Sequence, residues 1–245
     1  MKEADRQRAI RQKLARADAG PRPALLTGFA SLDAVTGGLP RGGIVELFGT
    51  PGCGKTTLAL QIAAHVQHAG GAAVWIDAEH AFDAALAMRL GVAVERMPVA
   101  QPGSAEEALE MLRRLAASGA VDLLVVDSAA ALVPEIELAT RIGEAGSGMH
   151  SRVLASGLRR LAAAIRRSEA VALFLNQMRG SAEDDPDTAA GGAPLKLFAA
   201  VRLAMRAGAP GGQPAVVRAV KNKAGGAAAG CLLAWKEGVG FAESP

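Results

Sequence analysis

The feature that most constrains the fold of this chain is a glycine-rich segment at residues 49–56, with the letters GTPGCGKT. It fits the pattern G-x-x-x-x-G-K-[ST]. An apolar stretch with β-branched residues, 44–48, precedes it, and residues 55–67 carry apolar side chains at helical spacing. In this context the pattern predicts a phosphate-binding loop. Glycine lets backbone N–H groups turn inward, and the N-terminus of the following helix adds partial positive charge.

The loop assigns nucleotide chemistry to particular side chains. Lys55 would reach the β- and γ-phosphates, and the Thr56 hydroxyl would ligate Mg²⁺. Asp127, which ends an all-apolar stretch, is the expected partner that holds Mg²⁺ through water. We therefore predict ATP and Mg²⁺ as cofactors. The predicted nucleotide-binding residues of the loop are Gly49, Thr50, Pro51, Gly52, Cys53, Gly54, Lys55, Thr56 and Thr57.

Cys53 lies inside this loop. A thiol at a helix N-terminus can have a lowered pKa, which favours the reactive thiolate. One hypothesis is that oxidation of Cys53 blocks nucleotide binding. The alternative is that Cys53 is an inert small residue.

Apolar strands and helices alternate along the chain from residue 24 onward. Strands are predicted at 44–48, 72–76, 123–126 and 171–175, and helices at 55–67, 104–117 and 151–168. Continuous apolar strands between helices are typical of a parallel sheet that is buried on both faces. Three further strand candidates with glycine-rich turns lie in 199–235. We expect an α/β fold with a mainly parallel central sheet covered by helices on both faces.

Polar side chains follow three of the predicted strands. They are Asp77 with Glu79, Asp127 with Ser128, and Asn176 with Gln177. Parallel sheets bind their ligands at the carboxyl ends of the strands. The three polar ends therefore predict a single site at one edge of the sheet.

The length of 245 residues suits one α/β domain with a short appendage. Residues 2–17 predict a basic helix, and glycine and proline at 20–23 end it. The predicted organisation is therefore an N-terminal helical arm and linker at 1–24 and a core at 25–245. Whether the arm is solvated or packs on a neighbouring subunit is left open by the sequence.

The composition limits the cellular location and the binding partners that we expect for this protein. No apolar stretch reaches the length of a membrane span, the N-terminus is charged, and two cysteines make no disulfide framework, so a cytoplasmic protein is expected. The net charge of +3 permits nucleic-acid binding without demanding it. Aromatic residues are 3% of the chain and tyrosine is absent, so any DNA would be held mainly through its backbone.

An ordered set of motifs resembles the bacterial RecA recombinases. The set comprises TGFASLD at 27–33, the loop at 49–56, IDAEH at 76–80, VVDS at 125–128, FLNQMR at 174–179 and VKNK at 220–223. The loop alone is generic, whereas the ordered set is specific to RecA-like proteins. The resemblance covers about residues 25–240 and implies a RecA-type P-loop ATPase core.

The resemblance implies catalytic roles for five residues. Besides Lys55, Glu79 would be the base that orients the attacking water. Gln177 would sense the γ-phosphate and couple it to the following loop. Lys221 and Lys223 resemble a pair that reaches across a filament interface to the neighbour's ATP, in the manner of an arginine finger, so that hydrolysis would need assembly. The alternative for these two lysines is a solvated edge strand.

Three positions bear on the base of the nucleotide. Asp83 matches an adenine-contacting position of the family. Leu86 stands where the family usually has a tyrosine stacked on the base. Trp235 matches another aromatic residue near the adenine, which would compensate.

The DNA-contacting positions are matched in part. Arg152, Arg159 and Arg166 recur every seven residues on the predicted helix 151–168, with Arg160 and Arg167 beside them, and form basic stripes. A solvated helix face is the alternative. The DNA-binding residues that the resemblance implies are Arg152, Arg159, Arg179, Gly191 and Gly192.

The chain also departs from the family's pattern. Residues 180–190, in place of the family's mobile DNA-binding loop, are shortened and carry Glu183, Asp184, Asp185 and Asp187. Carboxylates that face a polyanion oppose binding. Ala193 and Leu197 replace an asparagine and a phenylalanine, whereas Lys196 and Arg202 are kept. The C-terminal domain typical of RecA is expected to be missing.

The leading functional hypothesis is an ATP-dependent, single-stranded-DNA-binding, recombinase-like ATPase in recombination and repair, as part of an SOS-type DNA damage response. It would form a homo-oligomer or filament with ATP at the subunit interface, with no membrane partner. A second hypothesis is a RecA paralogue that lacks strand exchange and regulates damage tolerance by binding a protein partner, as ImuA-type accessory proteins do. A third is an ATPase switch of the RadA or KaiC kind that does not act directly on DNA.

Overall fold

The structure is a computed structural model that describes residues 23–141, 148–178, 193–208, 214–227 and 229–244. Its helices are α1 (Ala30–Thr36), α2 (Lys55–His68), α3 (Ala84–Arg89), α4 (Ala105–Ser118), α5 (Glu135–Ala139), α6 (Met149–Ile165) and α7 (Ala193–Phe198). Its strands are β1 (Gly43–Gly49), β2 (Ala73–Asp77), β3 (Val99–Ala100), β4 (Leu123–Asp127), β5 (Val171–Gln177), β6 (Val201–Arg206), β7 (Ala215–Asn222), β8 (Gly230–Lys236) and β9 (Gly240–Glu243). Short 3-10 turns occur at Val94–Arg96 and Ala129–Ala131.

The described residues form one nine-stranded sheet in the order β3-β2-β4-β5-β1-β6-β7-β8-β9. Neighbouring strands from β3 to β6 are parallel, and those from β6 to β9 are antiparallel. The mainly parallel α/β fold expected from the sequence is confirmed. The three strand candidates of 199–235 are β6, β7 and β8, which extend the sheet, and β9 adds a strand that the sequence pattern did not predict.

Helices cover the parallel part of the sheet on both faces. Strand residues alternate between the faces, so Leu47 of β1 packs with Leu58 and Ile62 of α2, while Ile44 faces the opposite cluster. That second cluster contains Leu112 of α4 and Leu158 of α6. Both faces of the central strands are therefore buried, as their continuous apolar sequences indicate.

The helix boundaries follow local signals. Ser104 precedes α4, and its hydroxyl accepts the Glu107 N–H at 3.1 Å, which caps the helix. The Glu107 carboxylate accepts from Gly103, one residue earlier than a capping box requires. α6 begins two residues before the predicted start, and Gly148 at its N-cap position has a left-handed conformation with φ of 88°.

Several segments named by the sequence lie outside the described residues. They are positions 1–22 of the predicted arm and the acidic stretch 180–190. Within the described ranges, no helix has the length and apolar character that crossing a membrane requires.

Candidate functional site

The glycine-rich loop joins β1 to α2 at the carboxyl edge of the parallel strands. Gly52 and Gly54 have φ values of 73° and 95°, in the left-handed region that favours glycine. A Cβ at Gly54 would meet the Phe241 ring at 2.5 Å, and one at Gly49 would meet the Met205 carbonyl oxygen at 2.1 Å. The curled backbone therefore depends on glycine both for its dihedral angles and for close packing against β6 and β9.

Lys55 and Thr56 project from the start of α2 into the same region. The Lys55 ammonium donates to the carbonyl oxygens of Gly49 and Thr50 at 3.2 and 2.9 Å. The Thr56 hydroxyl donates to Asp127 Oδ2 at 2.9 Å. The structure thus brings together the two residues predicted to hold Mg²⁺.

These oxygens fit a magnesium ion that takes its remaining ligands from elsewhere. Mg²⁺ prefers hard oxygen ligands and usually keeps several waters and phosphate oxygens. Among the residues that the structure describes, no cluster of three His, Cys, Asp or Glu side chains offers a complete cation site. Thr56 and Asp127 are therefore suited to hold an ion that arrives with a phosphate chain.

The electrostatics around Asp127 favour a cation. Burial, with a smaller contribution from the charges of Glu79 and Asp77, raises the pKa of the Asp127 carboxyl to about 6, against the lowering effects of the Thr56 hydrogen bond and the Lys55 charge. A carboxylate that is held out of water near other carboxylates is stabilised by a positive ion. The polar strand ends therefore form one electronegative site beside the cationic Lys55.

Glu79 is anchored next to this pair but remains exposed. Its carboxylate accepts a hydrogen bond from the Ser128 hydroxyl at 2.5 Å. Its backbone N–H donates to the Asp127 carbonyl at 3.1 Å, and the peptide bond between Asp127 and Ser128 is cis. An oriented, solvent-accessible carboxylate of this kind can accept a proton from water or hold water in place.

Asp77 has a structural role, unlike Glu79 and Asp127 at the neighbouring strand ends. It is buried, and it accepts hydrogen bonds from the backbone of Ala81 and Phe82 and from Gln101 at 2.8 to 3.1 Å. Burial raises the pKa of Asp77, but the bonds from Gln101, Ala81 and Phe82 outweigh it, so the net pKa is lowered. Asp77 therefore shapes the loop that carries Glu79.

The hypothesis of a reactive Cys53 is wrong in its premise. Cys53 is 2% exposed, and burial raises the pKa of its thiol despite the opposing charge of Lys55. A buried thiol with a raised pKa forms little thiolate. The structure favours the alternative, an inert small residue that packs under the loop.

The three positions that bear on the base lie on two separate elements: Asp83 and Leu86 at the start of α3, and Trp235 on β8. Asp83 caps α3, where its carboxylate accepts the Leu86 N–H at 2.9 Å. Trp235 on β8 is 55% exposed, and its ring centroid lies 5.3 Å from that of Phe241, which packs on Gly54. Trp235 is thus near the loop, whereas Asp83 is engaged in capping; their contacts with adenine stay predictions.

Gln177 lies beside the loop, but the two lysines do not. The end of β5 places the exposed Gln177 opposite Gly49 in the strand register. Lys221 lies on β7, on the far side of β6 from β1, and its ammonium donates to the carbonyls of Lys196 and Leu197. Lys223 follows β7 and is exposed. The sheet order thus separates both lysines from the loop of their own chain.

Two buried charged residues were missed as site residues. Glu46 on β1 and Arg202 on β6 form an ion pair at 2.5 Å directly beneath the loop, and Asn176 donates to the same carboxylate at 2.8 Å. In the sequence, Arg202 stands out only as a match to the RecA-like pattern, and Glu46 lies within a segment that is otherwise apolar. The signal that could have found them is a charged residue in the interior of each of two largely apolar strands.

The predicted DNA contacts are described only in part. Arg152 and Arg159 are exposed on α6, and Arg166 is exposed just after it. Arg160 on α6 and Arg167 just after it are also exposed, and they line a groove between α6 and α4. Arg179, Gly191 and Gly192 lie outside the described residues. The exposed stripe is present, and its contact with DNA stays a prediction.

The sequence of this chain matches a known protein family and several curated relatives. Residues 13–226 match the family model described as the RecA N-terminal domain. The chain is 47% identical over 189 residues to "Protein RecA" of Chloroherpeton thalassium, which covers 75% of this chain and 53% of the relative. It is 47% identical over 210 residues to "Protein RecA" of Thermus thermophilus, and the match covers 80% of this chain and 62% of the relative. It is 46% identical over 209 residues to "Protein RecA" of Aquifex pyrophilus, and that match covers 80% of this chain and 60% of the relative. The chain spans about half to three-fifths of the length of these curated relatives.

Proposed function

The chain belongs to the RecA family, and on that premise we propose that it is a magnesium-dependent, DNA-stimulated ATP hydrolase. The observation that carries the proposal is the contact of 2.9 Å between the Thr56 hydroxyl and Asp127 at the mouth of the glycine-rich loop. It joins the first residues of α2 to the end of β4, where a nucleotide-bound Mg²⁺ needs both.

The chain's own residues divide the work of hydrolysis. Backbone N–H groups of the loop and the Lys55 ammonium bind the phosphates, and Thr56 and Asp127 orient the metal. Mg²⁺, when bound, neutralises charge on the phosphate oxygens. Glu79, fixed by Ser128, holds the attacking water and takes its proton. Gln177 lies next to Gly49, at a position suited to sense the terminal phosphate.

The proposed partners are single-stranded DNA and further copies of the chain. Arg152 and Arg159 hold the DNA backbone, and the protein acts in recombination and repair, in an SOS-type damage response. The separation of Lys221 and Lys223 from the loop of their own chain supports a role at the ATP of a neighbouring subunit. In that arrangement hydrolysis requires a homo-oligomer or filament.

The test is ATP hydrolysis by the purified chain with and without poly(dT), over a series of salt concentrations. We expect strong stimulation that fades with salt, because counterion release makes backbone binding salt-sensitive. Hydrolysis indifferent to DNA would favour the switch hypothesis, and DNA-independent binding of a repair protein without hydrolysis would favour the accessory hypothesis. Lys55→Ala is the control, and Mg²⁺-dependent nucleotide binding that survives it would overturn the site assignment.

A further inference from the structure

A buried polar cluster, defined as Glu46, Asn176 and Arg202, lies beneath the phosphate loop. Asn176 Nδ2 donates to Glu46 Oε1 at 2.8 Å, and Arg202 Nε donates to Oε2 at 2.5 Å. The side chains of Glu46 and Arg202 are 1% and 2% exposed. Because β1 lies between β5 and β6, one carboxylate bridges three neighbouring strands, on the strand that ends at Gly49.

One arm of the cluster reaches Gln177. Asn176 Oδ1 accepts the backbone N–H of Gln177 at 2.9 Å, while its Nδ2 is held by Glu46. The next residue, Met178, donates its N–H to the Gly49 carbonyl at 3.0 Å. The Asn176 amide cannot turn without losing these two hydrogen bonds, so Glu46 holds the side chain that contacts the backbone of Gln177.

The other arm reaches β6, the strand that pairs with β7. The Arg202 guanidinium lies 4.8 Å from the centroid of the Phe48 ring, which is the residue before Gly49. In the register of β6 and β7, Arg202 lies opposite Lys221, and the register shifts just after it. The cluster therefore joins the strand end that carries Gln177 to the strand pair that carries Lys221.

The need to fill the core does not explain why a buried ion pair is found between β1 and β6. A buried ion pair carries a large desolvation penalty, and well-packed apolar residues of similar volume commonly stabilise a core as well or better. An ion pair with directed hydrogen bonds differs from apolar packing in fixing relative orientation. Here the fixed orientation is that of β5, β1 and β6 at the level of the phosphate loop.

We propose that Glu46 is a positioning residue that, through Asn176 and Arg202, carries the state of the bound nucleotide from Gln177 across β1 to Lys221. This inference rests on the proposed function, since it assigns a route within the same nucleotide site. When the terminal phosphate displaces Gln177, the rigid cluster moves β6 with it. The alternative is a core-filling pair with no part in this coupling.

The first variant is Glu46→Gln in the full chain. It keeps the shape of the side chain, removes the charge, and turns an amide donor toward Asn176 or Arg202. For a positioning role we expect the KM for ATP and the Kd for MgADP to stay within about 3-fold, while kcat falls by about 10-fold or more. A purely structural role predicts unchanged kcat per folded molecule.

A second variant separates folding from positioning. Combining Glu46→Met with Arg202→Met replaces the ion pair by apolar side chains, which should leave the melting temperature equal to or above that of the parent. We expect kcat to stay low, because the apolar pair packs without fixing direction. Arg41→Gln is the matched control, since it breaks an ion pair of 2.8 Å with Asp122 at the amino ends of β1 and β4, away from the loop, and should leave kcat unchanged.

Hydrogen exchange supplies a readout that needs no turnover. In the parent chain, exchange of β6 and β7 should differ between MgADP and a Mg²⁺ complex of a non-hydrolysable ATP analogue; in both variants this difference should vanish. A double variant with parental kcat, or Glu46→Gln with parental kcat and exchange, would overturn the inference alone. A parent chain that binds no MgADP would instead overturn the proposed function.

Discussion

At the scale of single residues, the site gathers Asp77, Glu79 and Asp127 around the loop, and their surroundings give them different parts. Asp77 is buried and fully engaged with the loop backbone, so it serves structure. Asp127 is held partly out of water next to Thr56, so it favours a cation. Glu79 is exposed and anchored by Ser128, so it is available to water.

Glu79→Gln should keep MgATP affinity and nearly abolish turnover. The amide retains the shape and the Ser128 contact but cannot take a proton, which removes a contribution of about 10²- to 10⁴-fold. The measurement pairs steady-state hydrolysis with a binding titration of MgATP. Turnover at the parental rate would remove Glu79 from its assigned role.

Asp127 should make the ligand-free protein less stable at neutral pH than at mildly acidic pH. Its folded pKa of about 6 lies above the ordinary value of 3.8, so the native state binds more protons than the unfolded state between these values. Stability therefore falls as pH rises through this window. Asp127→Asn should raise the unfolding free energy at pH 8 by about 1 to 2 kcal/mol without Mg²⁺, a gain that disappears below about pH 4.

The same variant should weaken magnesium-dependent nucleotide binding, and binding by the parent should weaken as pH falls below about 6. Urea unfolding at several pH values and nucleotide titrations at fixed Mg²⁺ measure both effects. Equal free energies of unfolding for parent and variant at pH 8 would show that burial does not destabilise the charged form of Asp127.

At the scale of elements, the loop is held between α2 and the last strand. The Gln61 side chain of α2 exchanges two hydrogen bonds of 2.9 Å with the backbone of Phe241 on β9. The Phe241 ring in turn occupies the space that a Cβ on Gly54 would need. The shape of the loop therefore depends on a strand almost two hundred residues away along the chain.

Gly54→Ala should destabilise the fold by about 2 to 4 kcal/mol, combining the strain of a positive φ with overpacking against Phe241. Gly52→Ala is the matched control, because its φ is also positive but open space surrounds it, so about 1 to 2 kcal/mol is expected. Thermal unfolding measures both. Gly54→Ala should also weaken nucleotide binding, and adding Phe241→Ala should restore it by making room for the new methyl group. Equal destabilisation by Gly54→Ala and Gly52→Ala would contradict the predicted clash between a Cβ at Gly54 and the Phe241 ring.

The sequence predicted the loop and the strands β1, β2, β4 and β5 because their signals are local, whereas the two-residue strand β3 was not predicted. The apolar periodicity of 104–117 matches α4 to within one residue at each end, and Asp127 directly follows the single apolar run of β4. The pairing of Glu46 with Arg202 could not be predicted, since the two residues lie 156 positions apart and no local pattern says which charged residues pair. The burial of Cys53 was equally hidden, because it depends on packing rather than on position in the loop.

At the scale of the whole molecule, α6 presents an exposed arginine stripe. Arg152→Ala and Arg159→Ala should each weaken binding of single-stranded DNA about equally for all sequences. Each should reduce the slope of log K against log salt by about 0.7. Arg114→Ala on α4 is the matched control, because that exposed side chain pairs with Glu110 and should leave the slope unchanged. Fluorescence anisotropy with labelled poly(dT) measures the slopes.

The position of Trp235 beside the loop gives the protein a built-in optical reporter. The chain has two tryptophans, and the other, Trp75, is 1% exposed in the core against Phe82. Acrylamide should therefore quench Trp235 emission and leave Trp75 emission nearly untouched. If adenine stacks on Trp235, saturating MgADP should protect the quenchable fraction, so nucleotide occupancy could be followed without labelling, and Trp235→Leu should erase the signal.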